Sequence, residues 1–250
     1  MRVAGQRNRT AVEDGLKVIF SVGEWDARGR TNSEVAARLG VSASTVSELV
    51  RRLTDDGLVE HERYGAIGLT ETGLRQALSM VRRHRLIETY LVGRLGYSWD
   101  EVHDEAEVLE HAVSDRMLER MDAALGHPWR DPHGDAIPSA DGLLHRPDAS
   151  PLASLEAGDS GWVARILDEE PELLRWFDQQ GLTLDTRLTV IGHKPFGGAL
   201  TVALGDEGSA QIDLGIQAVL SLWIAPTSPL PSALPDGCHY EQCVHVGVPA

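Results

Sequence analysis

The stretch His103-Asp-Glu-Ala-Glu107-Val-Leu-Glu110-His111 sets two imidazoles and two carboxylates at relative positions 0, 4, 7 and 8. This spacing predicts a helix, because at about 100° per residue the four side chains fall within an arc of roughly 100°. Such an arc can converge on a cation, and oxygen together with imidazole nitrogen suits Mn, Fe, Co, Ni or Zn. A solvated acidic face that carries two histidines has the same spacing.

The segment upstream bears on the choice. From Leu74, the residues Leu78, Val81, Leu91 and Leu95 mark a core-facing helical stripe whose middle is filled by His84 and Glu88. A buried Glu requires a cation or a hydrogen-bond network. A second helix is expected after Ser98-Trp-Asp-Glu101, which has the form of a capping box. Its buried stripe is Val102, Ala106, Leu109, Val113, Met117 and Met121, with His103, Glu107, Glu110 and His111 on the flank. The short connection around Gly93 and Gly96 predicts a helical hairpin that faces His84 and Glu88 toward the second cluster.

The chain has 250 residues, 42% of them hydrophobic, enough for a substantial core and two or three domains. No apolar run reaches membrane-spanning length and the N-terminus lacks a signal-peptide core, so a cytoplasmic protein without a membrane partner is expected. Cys238 and Cys243 are the two cysteines, which excludes a disulfide framework for the body of the chain. Residues 1–75 hold 11 Lys and Arg against 11 Asp and Glu, so the net charge of −15 belongs wholly to residues 76–250. A neutral N-terminal part does not exclude DNA, and the acidic remainder suits divalent cations.

In the N-terminal part, Thr10-Ala-Val-Glu13 is read as the cap of a first helix. Asn32–Gly40 and Ser42–Gly57 then read as two helices joined by a glycine turn, a helix-turn-helix whose second helix enters the major groove. Its outward face offers Ser42, Ser44, Thr45, Ser47 and Glu48, with Arg51 and Arg52 behind. Residues 57–73 read as two short strands, the wing of a winged helix, with Arg63 at the tip as a phosphate contact. A winged helix used only for protein contacts is the competing reading.

Residues 126–160 are rich in Pro, Gly, Asp and Ser and read as an irregular linker, in which His127, His133 and His145 are taken as surface histidines. Beyond Gly161, short strands broken by glycines and one helix over residues 170–180 predict a small barrel of about 65 residues. The Pro-rich tail is expected to be disordered. Its Cys238, His239, Cys243 and His245 match no established zinc spacing.

With winged helix, two ligand-bearing helices and small barrel in this order, residues 10–225 resemble the DtxR/MntR family of metal-dependent transcriptional repressors. The most specific segments are MVRRHRLIETYL and VHDEAEVLEHAVSD. The resemblance implies a mainly α fold with small β parts: an N-terminal winged helix-turn-helix over 1–75, a helical metal-binding and dimerisation domain over 76–148, and a C-terminal SH3-like (FeoA-like) small β-barrel over 149–225. Residues 226–250 would be the tail.

The resemblance further implies an ancillary metal site from His84, Glu88 and His103 and a primary site from Asp14, Glu107, Glu110 and His111. Glu169, Glu170 or Glu172 would add an acceptor from the barrel. By sequence alone Asp14 is merely an acid in a first helical turn, favoured there by the macrodipole. Iron-type members carry Met and Cys where this chain has Asp14 and Glu107. Hard oxygen in place of sulfur points to Mn(II) at two sites per chain, with Fe(II), Co(II) or Zn(II) able to substitute. The function implied is a manganese-responsive repressor that binds double-stranded operator DNA as a metal-activated homodimer, with no small organic substrate. An iron-dependent regulator of the same family is the nearest alternative; a di-metal helical-bundle oxidase would need more ligand-bearing helices than the chain offers.

Overall fold

The computed structural model describes residues 2–25, 30–61, 65–205, 210–226 and 243–246. The chain divides into two compact units, residues 1–84 with 138–143 and 247–250, and residues 85–137 with 144–246.

The first unit opens with α1 (Arg2–Val22), which begins well before the Thr10 cap expected from the sequence. No proline interrupts residues 2–10, and one glycine costs only about 1 kcal/mol in a helix, so the turn before Thr10 stays helical. Leu16, Ile19 and Phe20 are buried along it. In α2 (Asn32–Leu39), Thr31 and Glu34 form a capping box, and Gly40 closes the helix in the left-handed region at φ 63°. Next comes α3 (Ala43–Asp55), N-capped by Ser42, with Val46, Val50 and Leu53 buried. Burial of each such side chain contributes about 1.5–3 kcal/mol. The wing is β1 (Val59–His61) paired antiparallel with β2 (Ile67–Leu69), His61 facing Ile67. Its expected DNA contact, Arg63, lies outside the described residues. Then α4 (Glu71–Tyr90) begins, and its Leu78 and Val81 are buried as the stripe predicts.

The second unit takes the end of α4, where Ile87 and Leu91 are buried, and passes through a π-helical turn at Leu91–Leu95. The expected helix over 98–121 is two helices. Glu101 does accept from the Ser98 N–H at 3.0 Å, but α5 spans Val102–Leu109 and α6 spans Asp115–Leu125. The break follows from Ser114, whose hydroxyl accepts the Met117 N–H and so caps a new helix. Met117 and Leu95, both expected in the core, are 50% and 60% exposed. Ile87, Leu91, Val102, Ala106 and Met121 form the core of this helical part.

The supposed linker is largely built structure. Trp129, Ala136 and Ile137 are buried and Arg130 bridges Ala136, so residues 129–137 form a compact loop. It is followed by β3 (Leu144–Pro147) and β4 (Ser150–Pro151). The remaining elements are β5 (Ser160–Ile166), α7 (Pro171–Gln179), β6 (Arg187–His193), β7 (Leu200–Leu204), β8 (Ala210–Leu214), α8 (Ile216–Leu220), β9 (Leu222–Ala225) and β10 (Cys243–Val246). Six strands make one sheet in the order β4-β9-β5-β6-β7-β8, every neighbour antiparallel. Residues 218–224, an apolar run that suits one of the short strands expected beyond Gly161, are divided between α8 and β9. The tail also contributes: β10 pairs antiparallel with β3, His245 opposite His145 in the backbone register.

The loop 129–137 is seated directly on the sheet. His133 O accepts the Ile166 N–H at 2.9 Å, and Gly134, at φ +92°, lies so close to β5 that a Cβ would sit 2.1 Å from Ala164 O. Gly134→Ala should therefore lower stability by more than about 2 kcal/mol. Gly181→Ala, at φ +68° with nothing within 4 Å, should cost only about 1–2 kcal/mol. Urea melts in chelator compare the two; equal losses would mean that close packing against β5 is unimportant.

Candidate metal centre

The second unit gathers an acidic and imidazole cluster around Glu88. This side chain, on the last turn of α4, is 1% exposed. Its Oε1 lies 3.2 Å from Nδ1 of His103 on α5. His103 Nδ1 is also 3.4 Å from Asp168 Oδ2, and its Nε2 is 3.7 Å from Glu107 Oε1. The helical spacing read from sequence holds for His103 and Glu107. Glu110 is the C-cap of α5, and His111 follows it in the turn, with Nε2 3.5 Å from Glu110 Oε1. Glu110 is 1% exposed, so a second carboxylate is withdrawn from water there.

Two residues that sequence reasoning placed elsewhere complete the first cluster. His133, expected on the surface, is 1% exposed, and Asp131 is buried beside it. Donor atoms of Glu88, Asp131 and His133 all lie within 4.8 Å of one another. The correction has a local cause: apolar Trp129, Ala136 and Ile137 draw both ends of the loop into the core and carry the polar residues between them inward. His127 remains exposed and its Nδ1 is 3.0 Å from Asp122 Oδ2. His145 is half-buried on β3.

The hydrogen bonding of His133 fixes its chemistry. Its Nε2 is 2.7 Å from the Trp99 carbonyl, which can only accept, so Nε2 carries the hydrogen. The Trp99 ring stacks on the imidazole with centroids 5.9 Å apart. Nδ1 is buried with no hydrogen-bond partner among the described residues. In the neutral ring that atom holds a lone pair, the arrangement by which a backbone carbonyl orients a ligating histidine. Buried carboxylates around an unsatisfied imidazole nitrogen are a donor set that fits a divalent cation.

Asp131 and Asp135 differ although both are buried. Asp135 Oδ1 receives the Arg165 Nε–H at 2.7 Å. Asp131 Oδ1 accepts the backbone N–H groups of His133 and Asp135 at 2.8 and 3.0 Å, while Arg85 Nε stands 3.6 Å from Oδ2. Burial pushes the Asp131 carboxyl up to about 7, assisted by the charges of Asp135 and Glu88. For His133, burial lowers the pKa, but the carboxylates of Asp131, Glu88 and Asp168 outweigh it and the net shift is upward. Without a cation, protons hold these charges together.

The remaining expected residues are placed as follows. His84 precedes Glu88 by one turn on α4 and is buried. Asp14 is half-buried in the middle of α1, so the helix dipole expected to favour it in a first turn does not act there. Glu169, Glu170 and Glu172 are exposed, and Asp168, the residue before them, lies 3.4 Å from His103 Nδ1. The α3 N-cap Ser42 and, on α3, Ser44, Thr45, Ser47, Glu48 and Arg51 are exposed, and Arg52 is half-buried. All four hydroxyls are engaged internally: Ser42 Oγ accepts the Thr45 N–H at 3.2 Å and lies 2.7 and 2.9 Å from the Ser44 and Thr45 hydroxyls, and Ser47 Oγ donates to Ala43 O at 2.9 Å.

Residues 9–67 match the N-terminal DNA-binding domain of iron-dependent repressors and residues 70–139 their metal-binding and dimerisation domain; residues 150–217 match the FeoA domain. The iron-dependent repressor IdeR of Mycobacterium leprae is 33% identical over 187 residues, 70% of this chain and 81% of that protein. The chain belongs to the iron-dependent repressor family. Among solved structures, a manganese-dependent transcriptional repressor in complex with manganese is 51% identical, with a TM-score of 0.82 over 86% of this chain and 100% of that one. The manganese regulator SloR is 34% identical, with a TM-score of 0.72 over 86% of this chain and 98% of its own.

The protein is thus a metal-dependent transcriptional repressor with DNA-binding, dimerisation and FeoA parts. The oxidase alternative falls away, since the family consists of repressors. Among the described residues no helix is long and apolar enough to cross a membrane.

The raised Asp131 pKa makes metal-free stability depend on pH. The folded carboxyl titrates near 7, against an ordinary value of 3.8. Its favourable contribution is therefore complete below about pH 4 and is lost as pH rises through 7. Asp131→Asn, which retains an oxygen acceptor, should gain on the wild type between pH 5 and 8 in chelator, by on the order of 1–3 kcal/mol. Thermal melts across this range test it; a difference independent of pH would show that Asp131 is ionised throughout.

Proposed function

We propose that this repressor responds to manganese, and that Mn(II) switches a dimer into the form that binds operator DNA. The observation that carries the metal assignment is the all-oxygen-and-nitrogen character of the ligand groups. The first group is Glu88, Asp131 and His133, with His103 and Asp168 alongside and His84 one turn away on α4. The second is Glu107, Glu110 and His111. Neither contains sulfur, which would favour Fe(II) and later metals over Mn(II). Manganese forms the weakest complexes of the first-row series, so selection must rest on coordination number and on which geometry favours the active dimer.

Asp14 joins the second group in this reading because the family resemblance pairs it with these residues. A carboxylate on α1 bound to the same ion as residues of the metal-binding domain would link metal occupancy to the placement of α3. When bound, the ion supplies positive charge that offsets the buried carboxylates. Glu88 and Asp131 hold it, while His133 is kept in the ligating tautomer by Trp99. Dimerisation places two α3 helices over two operator half-sites.

DNA binding measured at fixed salt with Mn(II), Fe(II), Zn(II) or chelator tests the switch. At least tenfold tighter binding in Mn(II) than in chelator is expected, corresponding to about 1.4 kcal/mol or more. Equal affinity in both would defeat the proposal. The metal assignment has its own test: Glu107→Cys should move the preference from Mn(II) toward Fe(II) or Zn(II) in metal titrations, and an unchanged order would overturn the hard-donor argument. His133→Ala should weaken Mn(II) binding by about 10- to 100-fold, on the order of 1.4–2.7 kcal/mol.

A further inference from the structure

We infer that Glu48 is a base-reading residue that selects cytosine in the operator's major groove. The inference rests on the DNA-binding reading above and adds the identity of one base and the residue that reads it.

Glu48 is the sixth residue of α3, within the N-terminal half that reaches base edges when a recognition helix enters the groove. Val46, Val50 and Leu53 define the buried side of this helix. At about 100° per residue, Glu48 lies roughly 165° from the middle of that stripe, further round than Ser44, Thr45, Ser47, Arg51 or Arg52. The side chain pointing most directly at the floor of the groove is therefore an acid.

A carboxylate in that position is repelled by phosphates, and nothing among the described residues offsets it. Glu48 is exposed and forms no hydrogen bond or ion pair among the described residues. Arg51 is one turn away on the same face, yet the two are not paired. By contrast, Ser42 and Ser47 hold local hydrogen bonds that shape the helix start. Glu48 is thus left with acceptor capacity directed outward.

An ionised carboxylate can only accept. In the major groove guanine presents N7 and O6 acceptors, and thymine presents O4 and a methyl group; all of these oppose it. Adenine offers N6–H2 beside the N7 acceptor, a pattern that suits an amide better. Cytosine offers N4–H2 without a neighbouring acceptor on the same base, which matches the carboxylate.

Selection from a randomised duplex library with the full-length, Mn(II)-loaded protein tests this, using wild type, Glu48→Gln and Glu48→Ala. The wild type should enrich cytosine at one fixed position of each half-site, about tenfold over other bases. Glu48→Ala should lose preference at that position alone, and Glu48→Gln should move it to adenine. An identical motif for all three proteins, with both variants binding every sequence more tightly by the same factor, would show that Glu48 only repels phosphate and would overturn the inference. Metal-dependent enrichment with an unchanged motif defeats this inference alone; a wild type that enriches nothing defeats the operator-binding reading with it.

Discussion

Carboxylates withdrawn from water set the terms for the second unit. Glu88 and Glu110 are 1% exposed, and Asp131 and Asp135 are 5% and 6% exposed. Removing an ion from water costs several kcal/mol unless opposite charge and hydrogen bonds replace hydration. The protein meets this demand unequally. Asp135 has Arg165 at 2.7 Å, a permanent counterion. Asp131 has Arg85 no closer than 3.6 Å and faces Glu88. One aspartate is neutralised by the fold, while the other is left to a proton or a metal. That inequality, two residue numbers apart from His133 on either side, separates a structural ion pair from a responsive one.

The FeoA part is involved in this difference. Arg165 belongs to β5 and stacks over the Trp223 ring at 4.4 Å, so the counterion of Asp135 is itself fixed by the sheet. Asp168 follows β5 and reaches His103. The loop 129–137 is bound to the same strand through Ile166 and Gly134. The candidate ligating groups from α4, α5, the loop and the residues after β5 thus share one support, which is what geometric discrimination between similar cations would require.

Much of this was legible in the sequence. Winged helix, helical hairpin and β-rich part were visible because helix caps and glycine stops act locally, as Thr31 with Glu34 and Gly40 show. His84 and Glu88 were detectable because a charged pair interrupted an apolar helical stripe. The Asp131 and His133 pair was not, because composition marks Pro-Gly-Asp-rich chain as exposed loop whatever tertiary contacts it makes. The signal present was the framing of polar residues by Trp129 and Ile137, which has no fixed period and gains meaning only against β5. Ser114 was legible in principle: a cap residue followed by an acid inside a long apolar pattern marks a new helix start. The stripe through Met117 concealed it, although that side chain is half exposed.

The depth of the His133 site also has a kinetic side. With Glu88 and His133 each 1% exposed, an ion held there as proposed would reach their donor atoms through local opening of the chain around them. The Trp99 stack, the Ile166 hydrogen bond and the close seat of Gly134 oppose that opening. Exchange of such an ion would be governed by how often the loop lifts from the sheet, not by diffusion from solution. A regulator built this way would average over short fluctuations in metal supply and change state only when scarcity outlasts the opening time.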